Sequence, residues 1–241
     1  KIQIFPFSSP KGIDNYADKF NYIHIAGKYI SRVNNVKYLG IFINDDLSWK
    51  THIENLQNKL LQFCGIFYKY RYYLPPTVLK NLYFALIYPS IQYGIEIFAN
   101  TKSSYLEDLK ILNNRVLRIL QFGNLRTHLH DLYTRYNTFP VYLLHYYKLC
   151  LLVFQYLKSN ALLPDSFRNY FTMNFAVRTH FTRTSADLHL HRYLTSFGKR
   201  ALHYRAAVVW NSLPAHIKGL QLLTSFKKVL YNYYSETMAF S

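Results

Sequence analysis

Cysteine is nearly missing from this chain of 241 residues, which has only Cys64 and Cys150. Both lie in apolar runs at helical spacing, which predicts buried free thiols rather than a disulfide or a metal site. A reducing compartment fits that usage. No apolar run is long and clean enough for a membrane span: the longest, Val141 to Leu157, is interrupted by His145, Lys148 and Gln155 and reads as a buried or half-buried helix. The start shows no basic region followed by an apolar block and a small-residue cleavage site, so secretion is not expected. Lys1 leads straight into a strand-like run with no initiator methionine, and we expect a truncated chain, the later part of a longer one. Internal repeats and low-complexity tracts are missing too.

Negative charge is scarce. Asp and Glu number 12 against 29 Lys and Arg, a formal charge of +17. That excess goes beyond what solubility requires and points to a polyanionic partner. It is strongest between Ser166 and Ser235, where Arg168, Arg178, Arg183, Arg192, Lys199, Arg200, Arg205, Lys218, Lys227 and Lys228 face the single acid Asp187. Hydrophobic residues make up 50% of the chain, enough for a sizeable core and incompatible with a disordered polymer.

Catalytic and metal signatures are equally thin. The adjacent aspartates Asp45-Asp46 sit in a polar turn before a helix, where acids cap and favour the positive helix end, so we read them as capping residues and not as a metal clamp. His128, His130 and Asp131, and the pair His189 and His191, lack an accompanying Cys-x-x-Cys or carboxylate cluster, and we expect no metal site. No serine has a Gly-x-Ser-x-Gly context, and neither cysteine pairs with a histidine by sequence. The candidate catalytic set is therefore empty.

Periodicity organises the rest. From Lys1 to Phe7 and from Tyr22 to Phe42, β-branched and aromatic residues alternate with polar ones, with turn signals at 8–12 and 26–27, which predicts three or four short strands. After Trp49 the apolar spacing changes to three and four through Ile53, Leu56, Leu60, Phe63 and Phe67, predicting a helix of roughly 20 residues that ends before Pro75-Pro76. A second helix should start at Pro76, with Val78, Leu82, Ala85 and Leu86 as its apolar stripe, and stop near Pro89, and a third should follow a Ser103-Ser104 cap, with Leu106, Leu109, Leu112, Val116 and Ile119 or Leu120 facing the core. Together these three are expected to form a bundle. A fourth is expected over Val141–Lys158 and a last one from about Thr224 to Tyr233, capped by Ser225. Residues 165–215 are mixed and basic. Trp49 and Trp210 read as core residues.

The run from Val36 to Ile53, V-K-Y-L-G-I-F-I-N-D-D-L-S-W-K-T-H-I, resembles the "K-Y-L-G-(V/I)-x-(L/I)-D-x-x-L-x-(W/F)-x-x-H-(I/V)" pattern that follows the palm in non-LTR, LINE-type reverse transcriptases. Leu74-Pro75, Leu79, Leu82-Tyr83 and the run Tyr88 to Gly94 are similar to that family's thumb region, and Leu109 to Leu120 is similar to its "L-x-x-x-Q-(N/K)-(R/K)-x-(L/I)-R" helix, with Asn113 or Asn114 in place of Gln. Arg205 to Pro214, then Ile217-Lys218 and Phe226-Lys227, resemble the signature after the thumb in jockey-like clades, with Ala206-Ala207 replacing Gly-Pro. Lys1 to Phe7 is similar to the strand after the polymerase active site. The likeness covers nearly the whole chain, and the family's catalytic F-A-D-D would lie upstream of it.

The resemblance implies an α+β, mostly α fold: a palm remnant over 1–48 with a primer-grip hairpin, a three-helix thumb bundle over 49–122, and a basic helical region over 123–241. It implies that Tyr38, Leu39 and Gly40 form the primer grip. Gly40 suits a strand position that another backbone approaches closely. Lys and Arg interleaved with aromatic residues suit phosphate neutralisation and base stacking, which makes Lys69, Arg71, Arg115, Arg118, Arg178, Arg183, Arg192, Lys199, Arg200 and Arg205 the candidate nucleic-acid contacts. RNA and DNA, as a template–primer duplex, are the expected partners, alongside palm and fingers upstream in the same polyprotein; a membrane is not. Magnesium is expected only in that upstream active site, so this chain alone should hold no cofactor and be inactive. The family implies an intracellular location, in cytoplasm and nucleus. A domesticated or pseudogene-derived basic RNA- or DNA-binding protein without enzymatic activity fits the same residues.

Overall fold

The computed structural model describes residues 22–25, 27–124, 126–158, 163–177 and 184–239. The expected strand at Lys1–Phe7 lies outside them, as do Arg178 and Arg183. The described chain is mostly helical with short antiparallel strands, the coarse class expected. Strands β1 (Tyr22–Ile25) and β2 (Lys28–Ser31) form one hairpin. Strands β3 (Asn35–Tyr38) and β4 (Ile41–Asn44) form the other, in a register that sets Tyr38 opposite Ile41 and Asn35 opposite Asn44. A two-residue connection between β3 and β4 needs positive φ at both positions to match the strand twist. Leu39 stands at +47° and Gly40 at +84°.

Helix α1 (Lys50–Tyr70) follows the predicted stripe, burying Ile53, Leu56, Leu60, Cys64 and Phe67. Its start differs from expectation in how it is capped. Asp46 accepts a hydrogen bond from the Ser48 N–H in a local turn, and Asp45 pairs with Arg32 at 3.1 Å, so neither aspartate reaches the helix. Asn44 does, taking the Thr51 N–H on Oδ1 at 3.2 Å and donating to the Thr51 hydroxyl at 2.8 Å. The amide one residue before the acids supplies both a donor and an acceptor, which a carboxylate cannot.

Pro89 does not stop the second helix, and the buried face is Leu79, Tyr83, Ile87 and Ile91 rather than the expected stripe of Val78, Leu82, Ala85 and Leu86, of which Val78, Ala85 and Leu86 are exposed. Helix α2 (Pro76–Leu82) runs through a π turn (Tyr83–Ile87) directly into α3 (Tyr88–Gln92). Pro89 has no N–H and its ring would strike the carbonyl four residues back. Widening the preceding turn, so that the Tyr88 N–H bonds to the Tyr83 carbonyl, carries the chain past it. After the short α4 (Ile95–Phe98), helix α5 (Ser103–Leu120) begins from Lys102 with no side-chain cap. Ser103 and Ser104 are its first two residues and not its cap.

Helices α1 and α5 run alongside each other in the same direction. The Thr101 hydroxyl bonds the Ser48 carbonyl where they begin, and Tyr68 and Arg118 share a groove near their ends. Asn113 and Asn114 on α5 are buried and join three elements: the Tyr83 hydroxyl donates to Asn113, Asn113 to Tyr133, and Tyr133 to Asn114. Because buried polar groups must be satisfied, this chain of bonds fixes the register between α5, the π turn and α6 (Leu129–Tyr136).

Helix α7 (Val141–Lys158) has the predicted bounds. It is covered by α9 (Leu202–Asn211) and α11 (Leu223–Ala239), with α8 (Asn174–Val177) and α10 (Ala215–Lys218) as single turns between. The Phe154 and Phe226 rings stack at 4.2 Å beside Trp210, and Cys150 lies 3.4 Å from the Tyr234 hydroxyl. Helix α11 extends to Ala239, beyond the expected end near Tyr233, and Ser225 is its third residue and not its cap. The added turns bury Tyr234 and Met238. In the mixed stretch, Asn211 uses both ends of its side-chain amide to bond the Leu188 N–H and carbonyl. One connected core runs from Ile53 to Met238. Among the described residues no helix is long and apolar enough to cross a membrane.

Candidate nucleic-acid interface

The ends of α1 and α5 form an open groove of about 950 Å³. On α5, Ile111, Arg115 and Arg118 follow at spacings of four and three and therefore share a face. Arg71 comes from the residue after α1, and Arg126 from the loop after α5. These four arginines and Tyr68 line the groove with no acidic residue among its walls, and none of the four makes a salt bridge with a described residue. Cations at the C-terminal ends of two helices also complement the helix dipoles.

Arg71 is held in place by rings. Its guanidinium lies 4.8 Å over Tyr68, 4.7 Å over Tyr72 and 5.5 Å from Phe122, and it donates to the Tyr72 hydroxyl at 2.8 Å. Cation–π stacking of this kind fixes a guanidinium plane while leaving other N–H donors free for phosphate. Phe122 reaches this position from a backbone φ of +56°.

A second concavity of about 550 Å³ lies under the β3–β4 hairpin, lined by Lys37, Gly40, His52, Asn55, Lys59 and Tyr93 among others. The hairpin tip projects outward: Tyr38 is 64% and Leu39 72% exposed. Tyr93 supports it from beneath, its hydroxyl donating to the Leu39 carbonyl at 2.6 Å. Gly40 is required for a reason other than close approach. A Cβ there would meet the Tyr93 ring at 3.6 Å, an ordinary contact, and what favours glycine is the φ of +84° in the turn. Lys59 donates to the Ser90 hydroxyl at 2.7 Å on the same wall. Asn55 and Tyr68 stand thirteen residues apart on α1, about 20 Å along its axis, so that helix links the two concavities.

The predicted contacts thus divide. Arg71, Arg115 and Arg118 converge, as do Tyr38, Leu39 and Gly40. Lys69 is exposed on the last turn of α1 with its ammonium 5.5 Å from the Tyr70 ring, outside the groove. Arg192 and Lys199 are exposed elsewhere. Arg200 is half-buried over Phe197, and Arg205 is half-buried against Tyr146, so both are held within the fold. Lys218 pairs with Asp187 at 2.9 Å. Arg126, Tyr68, Lys37 and Lys59 were not singled out by sequence. Arg126 sits in a loop whose position depends on α6, and the two lysines reach one concavity because the hairpin packs against α1.

The histidine pairs do not gather ligands. His130 lies 3.6 Å from Asp131, and His189 meets His191 edge to face and contacts Asn174 at 3.2 Å. Among the described residues no three His, Cys, Asp or Glu side chains form a group that could hold a metal ion. Asp45 and Asp46 do not fit a two-metal clamp, being engaged with Arg32 and Ser48. A scan of protein-family models and searches of curated proteins and of solved structures match nothing to this chain.

Proposed function

We propose that this chain is the post-catalytic, nucleic-acid-gripping part of a non-LTR retrotransposon reverse transcriptase, with α1, the α2–α3 helix and α5 as its thumb. The observation that carries this reading is the acid-free groove in which Arg71, Arg115, Arg118 and Arg126 meet. Arginine forks suit phosphate oxygens, and tyrosine and phenylalanine rings beside them suit bases or sugars. In this reading α1 lies along the duplex, the groove holds one stretch of backbone, and the hairpin tip with Leu39 and Gly40 meets the primer. Recognition through backbone and 2′-hydroxyl groups carries little sequence preference. The carboxylates for nucleotidyl transfer belong to the upstream part of the enzyme, and the chain alone should extend no primer.

Binding of a fluorescent RNA–DNA hybrid across a salt series tests this. Affinity should fall log-linearly with salt, and replacing Arg115, Arg118 and Arg126 together by Gln should reduce the slope by about 3. A slope unchanged in the triple variant would remove the groove from the interface.

A further inference from the structure

Away from the arginine groove, and sharing no wall with it, a pocket of about 230 Å³ opens where the α4–α5 connection, α5, α7 and α9 meet. Thr101, Ser103, Lys110, His145, Tyr146 and Arg205 supply its polar lining. Arg205 is half-buried, donates to the Tyr146 hydroxyl at 3.2 Å, and makes no salt bridge with a described residue. His145 is only 1% exposed, and its Nε2 has no hydrogen-bond partner. Burial and the neighbouring Arg205 push its imidazole down to about 3, so it is neutral at neutral pH. The one carboxylate on the lining, Glu107, is already held by Lys110 at 3.0 Å.

A half-buried guanidinium without a counter-charge, beside a buried imidazole nitrogen without a partner, is an arrangement that folding penalises unless something completes it. The charges show what would. Arg205 and Lys110 contribute two positive charges and Glu107 one negative, leaving one positive charge for an anion to balance. The donors come from different sides: the Ser103 hydroxyl from the start of α5, imidazole and phenol from α7, guanidinium from α9. A carboxylate offers two oxygens to one side, whereas a tetrahedral group offers oxygens in several directions, and the space is several times that of a water molecule.

We propose that this pocket binds a phosphate group, with Arg205 as its principal donor and His145 Nε2–H and the Ser103 hydroxyl completing the shell. The phosphate is either a free ion or the end of a nucleic-acid strand, and both present the same oxygens. Titrating the full chain with inorganic phosphate at constant ionic strength should give one saturable site. Arg205→Met should weaken it roughly tenfold or more, and His145→Gln, which keeps a donor, by less. The paired Arg115→Gln and Arg118→Gln change should leave it intact, which separates this site from the proposed duplex grip. Should Arg205→Met fail to fold, the C2 proton of His145 in the unaltered protein provides the readout, since phosphate at Nε2 must shift it along the same isotherm. Competition by a 5′-phosphorylated trinucleotide but not its unphosphorylated form would identify a strand end, and competition by neither would identify the free ion. No saturable phosphate binding, an isotherm insensitive to Arg205 and His145, or one that vanishes with the groove arginines would overturn the proposal.

Discussion

His52 takes two ring nitrogens into the interior and finds a hydrogen-bond partner for neither, while its ring meets Phe98 edge to face at 4.9 Å. It behaves as an aromatic core residue that carries a polar penalty. Burial pushes its pKa down to about 4, whereas the unfolded chain protonates near 6.5. The unfolded state therefore takes up the proton first, and stability is lost as pH falls from about 6.5 to about 4. We expect His52→Phe to keep the ring contact, to raise stability at pH 7.5 by about 1 kcal/mol through loss of unpartnered polar atoms, and to flatten the acid limb of a urea-midpoint profile. Retention of the full acid slope would assign it to another group, His145 being the next candidate. The apolar repeat through Ile53 and Leu56 predicts the buried face of α1, and His52, four residues before Leu56, falls on that face by spacing, but the repeat does not show what its ring meets there. That depends on Phe98, forty-six residues away, and a contact between elements leaves no trace in local periodicity.

At the scale of elements, the α2–α3 helix continues through a proline expected to end it. Leu79, Tyr83, Ile87 and Ile91 are all fully buried at a constant spacing of four. On an unbroken α-helix such a repeat drifts by about 40° per step and leaves the core face. The π turn inserts the extra residue that cancels the drift, so the constant four-residue repeat through Pro89 is itself the sequence signal, and it outweighs the commoner rule that proline ends a helix. The β3–β4 hairpin shows the opposite case. Its strands and turn were legible, but the strain was not: Leu39 occupies a positive φ that glycine or asparagine would adopt more easily. Leu39→Asn should stabilise the hairpin by a few tenths of a kcal/mol and Gly40→Ala should cost about 1 kcal/mol, read as amide exchange rates across β3 and β4. Equal protection in all three proteins would show that the turn conformation does not limit hairpin opening.

For the whole molecule, one core joins α1 to α11, and the two tryptophans sit near its ends. Trp49 is half-buried before α1, and Trp210 is buried in α9 against Phe226. Single-tryptophan variants, Trp49→Phe and Trp210→Phe, should therefore report the same denaturation midpoint by fluorescence, and that midpoint should match the one from circular dichroism. Separate midpoints would divide the chain into independent folding units. The charge imbalance and most helices were legible in the sequence because both are additive, local properties. The arginine groove was legible in part: Arg115 and Arg118 share a helix face, but the loop positions of Arg126 and Phe122 depend on how α6 docks, through the Gln121 side-chain bond to the Leu132 carbonyl. The same core has a consequence for how the protein is made. Phe154 of α7 is covered by Phe226 of α11, and α11 leaves the ribosome after every other described helix. At ordinary synthesis rates the growing chain carries that bare apolar surface for on the order of ten seconds. In that interval its folding depends on whatever else in the cell can shield it.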